Sequence, residues 1–255
     1  RQAVAEDPGN VTALENLGVV LTRLDRLDEA VATIQQAIAL EPDRVSLHFS
    51  LGSIYARQGK GAEAIASLQR AVALDPAHAG AHFNLANAMV RAGQPDAALA
   101  EYQRVMTLQP NNPDARLLAG LLEIQAGRWA EAEQAIVASA TAVPDHPRLV
   151  EMLARLRAAC PEDVRRDGQA ALDLADRLMR SNPDINAAVT KAMALAELGR
   201  YDEAAALQSE ALKAATAEKR PDLVPSLTLF LDLYKAGKPA RQLWPPDDPL
   251  MPGVK

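Results

Sequence analysis

Apolar and small residues return along this chain with a helical beat set inside a longer one. In Ala79–Asn112, AGAHFNLANAMVRAGQPDAALAEYQRVMTLQPNN, the pattern predicts two helices joined by a tight turn. One covers His82–Arg91 and ends at Gly93; the other starts near Asp96 and stops before Pro110. Residues three and four apart share one face of a helix, so each helix carries an apolar stripe. The hairpin exposes an apolar side that it cannot bury alone, and it therefore needs a copy of itself on each flank.

The copies are present. Pro8, Pro42, Pro76, Pro110 and Pro144 follow one another at intervals of 34 residues. Between them the same residue types return in phase. Leu17, Leu51 and Leu85 share one position, Gly18, Gly52, Ala86 and Gly120 the next. Ala30, Ala64, Ala98 and Ala132 align, as do Ile34, Leu68, Tyr102 and Ile136, and Gly59, Gly93 and Gly127 mark the inter-helix turn. A 34-residue period with small, apolar and proline positions in this order resembles the tetratricopeptide repeat family. The resemblance implies an all-α, right-handed superhelical solenoid of about six helix pairs with a closing helix at the C-terminal end.

The expected organisation runs in chain order. Residues 1–10 read as the end of an incomplete upstream repeat, so the natural protein is expected to extend before Arg1. Four repeats follow at 11–44, 45–78, 79–112 and 113–146. Asp25 stands where later repeats have glycine and is expected to take left-handed backbone. Each second helix starts acidic, at Asp28-Glu29, Glu63, Asp96, Glu131 and Asp202-Glu203, which suits its dipole, and ends before an X-Pro pair. The fourth repeat reads as looser, because Glu123 and Ser139 replace apolar or small residues; poorer packing, or a glutamate reaching out to solvent, is expected there. Residues 147–184 form an irregular pair with about five extra residues in CPEDVRRDG, placed by the period. A degenerate pair at 185–220 has Lys191 where leucine stood. A closing helix occupies 221–243, with Pro225 in its first turn, and 244–255 is a proline-rich extended tail whose Trp244 could fold back onto that helix.

Composition narrows the function. The net charge is −6 and the pI is near 5.3, which argues against a sequence-independent nucleic-acid binder. No apolar run is long enough to span a membrane, and no signal-peptide pattern opens the chain. Cys160 is the single cysteine, so an intrachain disulfide and a thiolate metal cluster are excluded, and an idle or buried thiol is the simplest reading. His78 and His82 stand four apart without a third ligand at matching spacing, and His48 and His82 share a phase, so packed imidazoles are expected, not a metal. No phosphate loop, zinc motif or nucleophile elbow is present, so no catalytic residue, cofactor or metal is assigned. Alanine- and arginine-rich arrays of this kind lean toward a bacterial envelope or periplasmic setting.

The candidate site is the inner face of the first helices, which in the resembled family line a concave groove. That face carries Phe49, Ser53 and Arg57 in one repeat and Phe83, Asn87 and Arg91 in the next, with Asn16, Ser50 and Asn84 in a neighbouring row. Arg23 extends the arginine row, and Leu117 and Leu121 continue the face as an apolar stripe. Asparagine amides donate and accept together, which matches the backbone of an extended peptide; a row of asparagines at this phase serves that task in arrays like that of O-linked N-acetylglucosamine transferase. The arginines would favour acidic side chains. Lysines of the chaperone-adaptor carboxylate clamp are missing at the corresponding places, so that ligand is not expected. The expected function is a non-catalytic protein–protein interaction scaffold that holds a partner segment, acidic by the arginine argument. Two alternatives remain: a recruiting region of a larger multidomain enzyme, or a fixed structural subunit of an assembly docked through its ends or convex side.

Overall fold

The computed structural model describes residues 6–245. The expectations for residues 1–5 and for the tail beyond 245 lie outside the described residues. Among the described residues there are α-helices and short 3-10 turns and no strands. In order they are α1 Val11–Arg23, α2 Leu27–Leu40, α3 Val45–Arg57, α4 Gly61–Leu74, α5 Ala79–Arg91, α6 Pro95–Leu108, α7 Pro113–Gln125, α8 Trp129–Ala142, α9 Pro147–Ala159, α10 Gly168–Ser181, α11 Ile185–Glu197, α12 Tyr201–Ala217 and α13 Val224–Lys235. The chain divides into two compact units, one up to Ala115 and one from Arg116.

First and second helices start by different means. Several first helices have a side-chain cap. Asn10 Oδ1 accepts from the Ala13 N–H at 2.9 Å, Asn112 Oδ1 from Ala115 at 2.9 Å and Asp184 Oδ1 from Ala187 at 2.8 Å. At α5 the cap is His78, whose Nδ1 accepts from Ala81 N–H at 3.0 Å. This capping is why α5 begins at Ala79, three residues before the start expected from its apolar pattern. Second helices such as α2, α4 and α8 lack a side-chain cap and carry acidic residues in the first turn instead. The turns within hairpins need one left-handed residue, and Gly59, Gly93, Gly127 and Gly199 supply it; Asp25, at φ 58°, does the same in the first hairpin.

In the first unit the core is built from the repeated small and aliphatic positions. Ala30, Ala64 and Ala98 are fully buried, and so are Ile34, Leu68 and Tyr102 one helical turn further along. Small residues on the first helix make room for these larger ones: a Cβ at Gly18 would lie 2.5 Å from Ile34 Cδ1, and one at Gly52 2.6 Å from Leu68 Cγ. Side-chain volume is therefore matched pair by pair, as close packing requires.

The main core of the second unit runs from Leu117 and Leu121 through Met152, Leu156 and Met193 to Phe230, Tyr234, Leu243 and Trp244, and Val150, Leu178 and Ala187 form a smaller cluster beside it. Trp244 does return to the closing helix, joining Phe230 and Tyr234. One expectation for this region is corrected. Glu123 does not reach solvent: it is buried, and Arg128 Nε donates to its Oε2 across the Gly127 turn. Ser139 is buried too, and its Oγ donates to the Ala135 carbonyl at 2.6 Å within its own helix. Lys191, at the leucine position, is satisfied by Asp176 at 2.7 Å. The extra residues sit between α9 and α10 as a connection containing a 3-10 turn, Asp163–Arg165. Arg166 anchors it by donating to the Cys160 carbonyl at 2.7 Å and to Glu197 Oε1 at 2.8 Å.

Candidate functional site

The first-helix face of the first unit holds most of the candidate residues. Asn16, Arg23, Arg57 and Arg91 are exposed, while Phe49, Ser50, Ser53, Phe83, Asn84 and Asn87 are half-buried. Between α1 and α3 lies a depression of about 230 Å³ lined by Val19, Thr22, Arg23, Phe49, Ser50 and Ser53. Its walls are mostly apolar, and Val19, with 41% of its surface exposed, is one of the larger hydrophobic residues left open to solvent. Val19 shares the register position of Ser53 and Asn87, eight residues into the first helix. The sequence reading passed over it because valine on a helix face reads as core.

Several candidate side chains are already engaged inside the chain. Asn84 Nδ2 donates to Ser53 Oγ at 3.0 Å, and Ser53 Oγ donates to the Phe49 carbonyl at 2.9 Å. These bonds tie α5 to α3 along the face. Asn87 Oδ1 accepts from the buried Tyr102 hydroxyl at 2.6 Å, and burial pushes that phenol well above its usual range. Arg57 Nη1 donates to the Thr22 carbonyl at 2.7 Å, and its Nη2 pairs with Asp25 Oδ1 at 3.0 Å. Phe49 lies tilted against the His78 ring at 5.0 Å, and Phe83 meets Tyr102 edge-on at 5.7 Å. The phenyl rings thus pack against neighbouring side chains and are only partly open to solvent.

Leu117 and Leu121 are corrected. They belong to the second unit, where they are 5% and 0% exposed and sit inside the core, so they present no surface. The histidines are likewise structural. His82 Nδ1 lies 2.6 Å from Glu101 Oε2 and its Nε2 3.1 Å from the Pro76 carbonyl; His48 Nε2 lies 2.7 Å from the Pro42 carbonyl. Among the described residues no group of His, Cys, Asp or Glu could hold a metal ion, and no helix is long and apolar enough to cross a membrane. Cys160 is buried, and burial raises its thiol pKa.

A second cavity, of about 350 Å³, opens in the second unit between the start of α9 and the α10–α11 connection. Its lining is mixed: Pro147, Leu178 and Ala187 supply apolar surface beside His146, Arg148, Glu151, Asn182, Asp184 and Asn186. No residue pattern marked it in advance, because two segments far apart in sequence build it.

The arrangement is that of a helical-hairpin repeat protein. Family models place it: TPR repeat models match residues 20–59 and 52–93, and tetratricopeptide repeat models match 89–156 and 186–207. The chain belongs to the tetratricopeptide repeat family. No curated protein sequence matches it. Among solved structures it is similar to YrrB, described as a TPR protein with an unusual peptide-binding site, at 22% identity over 73% of this chain and 94% of that one, with a TM-score of 0.59. PilF of Pseudomonas aeruginosa is 22% identical over 72% and 81%, TM-score 0.59. A tetratricopeptide repeat protein from Parabacteroides merdae is 18% identical over 92% and 89%, TM-score 0.56. At these identities the likeness is one of fold.

Proposed function

We propose that this protein is a protein-interaction scaffold whose first unit holds an extended segment of a partner along the first-helix face. The observation that carries the reading is the apolar depression between α1 and α3, bordered by Arg23, with Arg57 and Arg91 exposed along the same face. An apolar side chain of the segment would fill the depression against Val19 and Phe49. The amide nitrogen of Asn87 and the Oδ1 of Asn84 would meet backbone groups of the segment, their other polar atoms being engaged within the chain. The arginine row would select acidic side chains, most strongly for bidentate carboxylate pairing. The described similarity of YrrB, a TPR protein with a peptide-binding site, supports the same use of the fold.

The test is selection of random peptides on the intact chain, read against two surface variants. Enrichment of peptides with apolar and acidic residues, lost in Val19→Asp and weakened by added salt, is expected. Val19 is open to solvent, so this change leaves the fold in place. Peptides that bind Val19→Asp and Arg57→Ala as well as the parent would remove the face from the account.

A further inference from the structure

The first-helix face of the second unit is not open. Counting from each helix start, Glu151 and Arg155 of α9 take the register positions of Phe83 and Asn87 in α5. Thr190 of α11 takes that of Asn84, and Glu197 that of Arg91. The bond pattern confirms the register: in the first unit Asn84 donates back to Ser53, and in the second Arg155 Nε joins Thr190 Oγ1 at 3.0 Å, linking the same two positions of successive first helices. On this face lies the chain's own segment Ala240–Trp244, which has neither helical nor strand backbone.

The segment is held as a peptide would be. Arg155 Nη1 donates to the Leu243 carbonyl at 3.0 Å. The Trp244 ring covers the Arg155 guanidinium, with 4.9 Å from its carbon to the ring centre. Arg241 Nη1 pairs with Glu197 Oε2 at 2.6 Å. Ala240, Leu243 and Trp244 are buried, whereas Arg241 and Gln242 are exposed, so the segment is pinned at both ends and open to solvent between them. Arg155 itself is wholly buried, and Glu151 Oε1 lies 3.1 Å from its Nε. The seat is imperfect: Arg155 Nη2 and the Trp244 indole nitrogen are buried without an acceptor. Each is a desolvated donor left unmet, which loosens the segment's hold.

We propose that Ala240–Trp244 is a displaceable latch on a second peptide-holding face, and that this face takes extended segments with a basic residue followed two positions later by an aliphatic–tryptophan pair. The first unit would hold acidic segments; this face selects the opposite charge, because Glu197 stands where that unit has arginine. The inference does not depend on the first unit binding anything.

The experiment measures binding of a dye-labelled peptide with the sequence of Lys238–Pro245 to the full chain, by fluorescence polarisation. A tethered segment competes at an effective concentration on the order of millimolar, so the parent chain should bind the free peptide weakly and Trp244→Ala at least about tenfold more tightly. Arg241→Ala removes only an exposed ion pair of the latch and should give a smaller gain in the same direction. Equal binding by all three chains, with far-ultraviolet circular dichroism unchanged, would overturn the proposal. So would loss of the fold in Trp244→Ala together with no gain in Arg241→Ala, since the segment would then be permanent packing. A Val19→Asp chain serves as control: it should behave as the parent here, which separates this outcome from that of the first-unit face.

Discussion

The spacing of α3 from α4 rests on the absence of a methyl group at Gly52. Gly52→Ala places a Cβ 2.6 Å from Leu68 Cγ and 3.2 Å from the Ala64 carbonyl oxygen. Ordinary contact needs about 1 Å more at the first atom, and Leu68 is fully buried with no free direction to yield. Overpacking of this kind costs about 1–3 kcal/mol. Alanine in a helix interior returns about 1 kcal/mol over glycine. The net expectation is a loss of roughly 0–2 kcal/mol, toward the upper end because the contact at Leu68 Cγ is so short. Leu68→Ala by itself should cost about 2–5 kcal/mol. In that shortened background the methyl has space, so Gly52→Ala should turn stabilising by up to about 1 kcal/mol. The sign change is the content of the prediction. Gly120 offers the internal contrast: its nearest neighbours, Ile136 Cγ1 and the Met152 sulfur, both lie at 3.1 Å against 2.6 Å for Leu68 Cγ at Gly52, so Gly120→Ala should cost less and come near neutral. Repeat arrays can unfold in parts, so urea melts should be paired with native-state hydrogen exchange of α3 and α4 amides. Gly52→Ala and Leu68→Ala effects that add to within about 0.5 kcal/mol would refute the steric account.

Two further outcomes follow from single residues. Lys219 holds left-handed backbone at φ 56° with its side chain exposed, so Lys219→Gly should raise stability by about 1 kcal/mol, read as a shift in the urea midpoint of the second unit. Cys160 is buried and its thiol pKa is raised, so a thiol reagent at neutral pH should label it only after denaturation; labelling of the native chain at the rate of a free thiol would contradict the placement.

The repeat was legible because packing forces it. A hairpin that stacks on copies of itself must offer the same volume at the same place, and Ala30, Ala64, Ala98 and Ala132, each fully buried, are that constraint written in sequence. Turns were legible where backbone geometry restricts residue type, as at Asp25 and Gly93. Polar positions carried no such constraint. Glu123 read as a packing fault because its partner, Arg128, lies past a turn whose direction is fixed only in three dimensions. Leu117 and Leu121 read as groove because their phase is that of Phe83 and Asn87, yet phase names a helix face and not what lies upon it. In the irregular pair the proline count gave five added residues, while the first helices α9 and α11 begin 38 residues apart. The difference is a connection from α10 to α11 one residue shorter than the one from α8 to α9. That single residue hid the alignment of Thr190 with Asn84, and with it the face on which Ala240–Trp244 lies.

Charge at the end of the first-helix row gives these two faces different selectivities on the reading proposed above. Arg57 and Arg91 stand there in the first unit and Glu197 in the second. The latch places Arg241 on Glu197 at 2.6 Å; set on the first unit in the same register, Arg241 would meet an arginine instead. Arg57 is already paired with Asp25 through one nitrogen, but like charges brought together in a partly dry seat still oppose binding. The chain's own segment is thereby directed to one face and kept off the other by repulsion as much as by attraction. An acidic partner segment would be sorted the opposite way, so the first unit stays open to it even while the latch is closed. On that reading, repeats alike in their packing residues would differ in the charge they accept through one first-helix position, arginine in the first unit and Glu197 in the second.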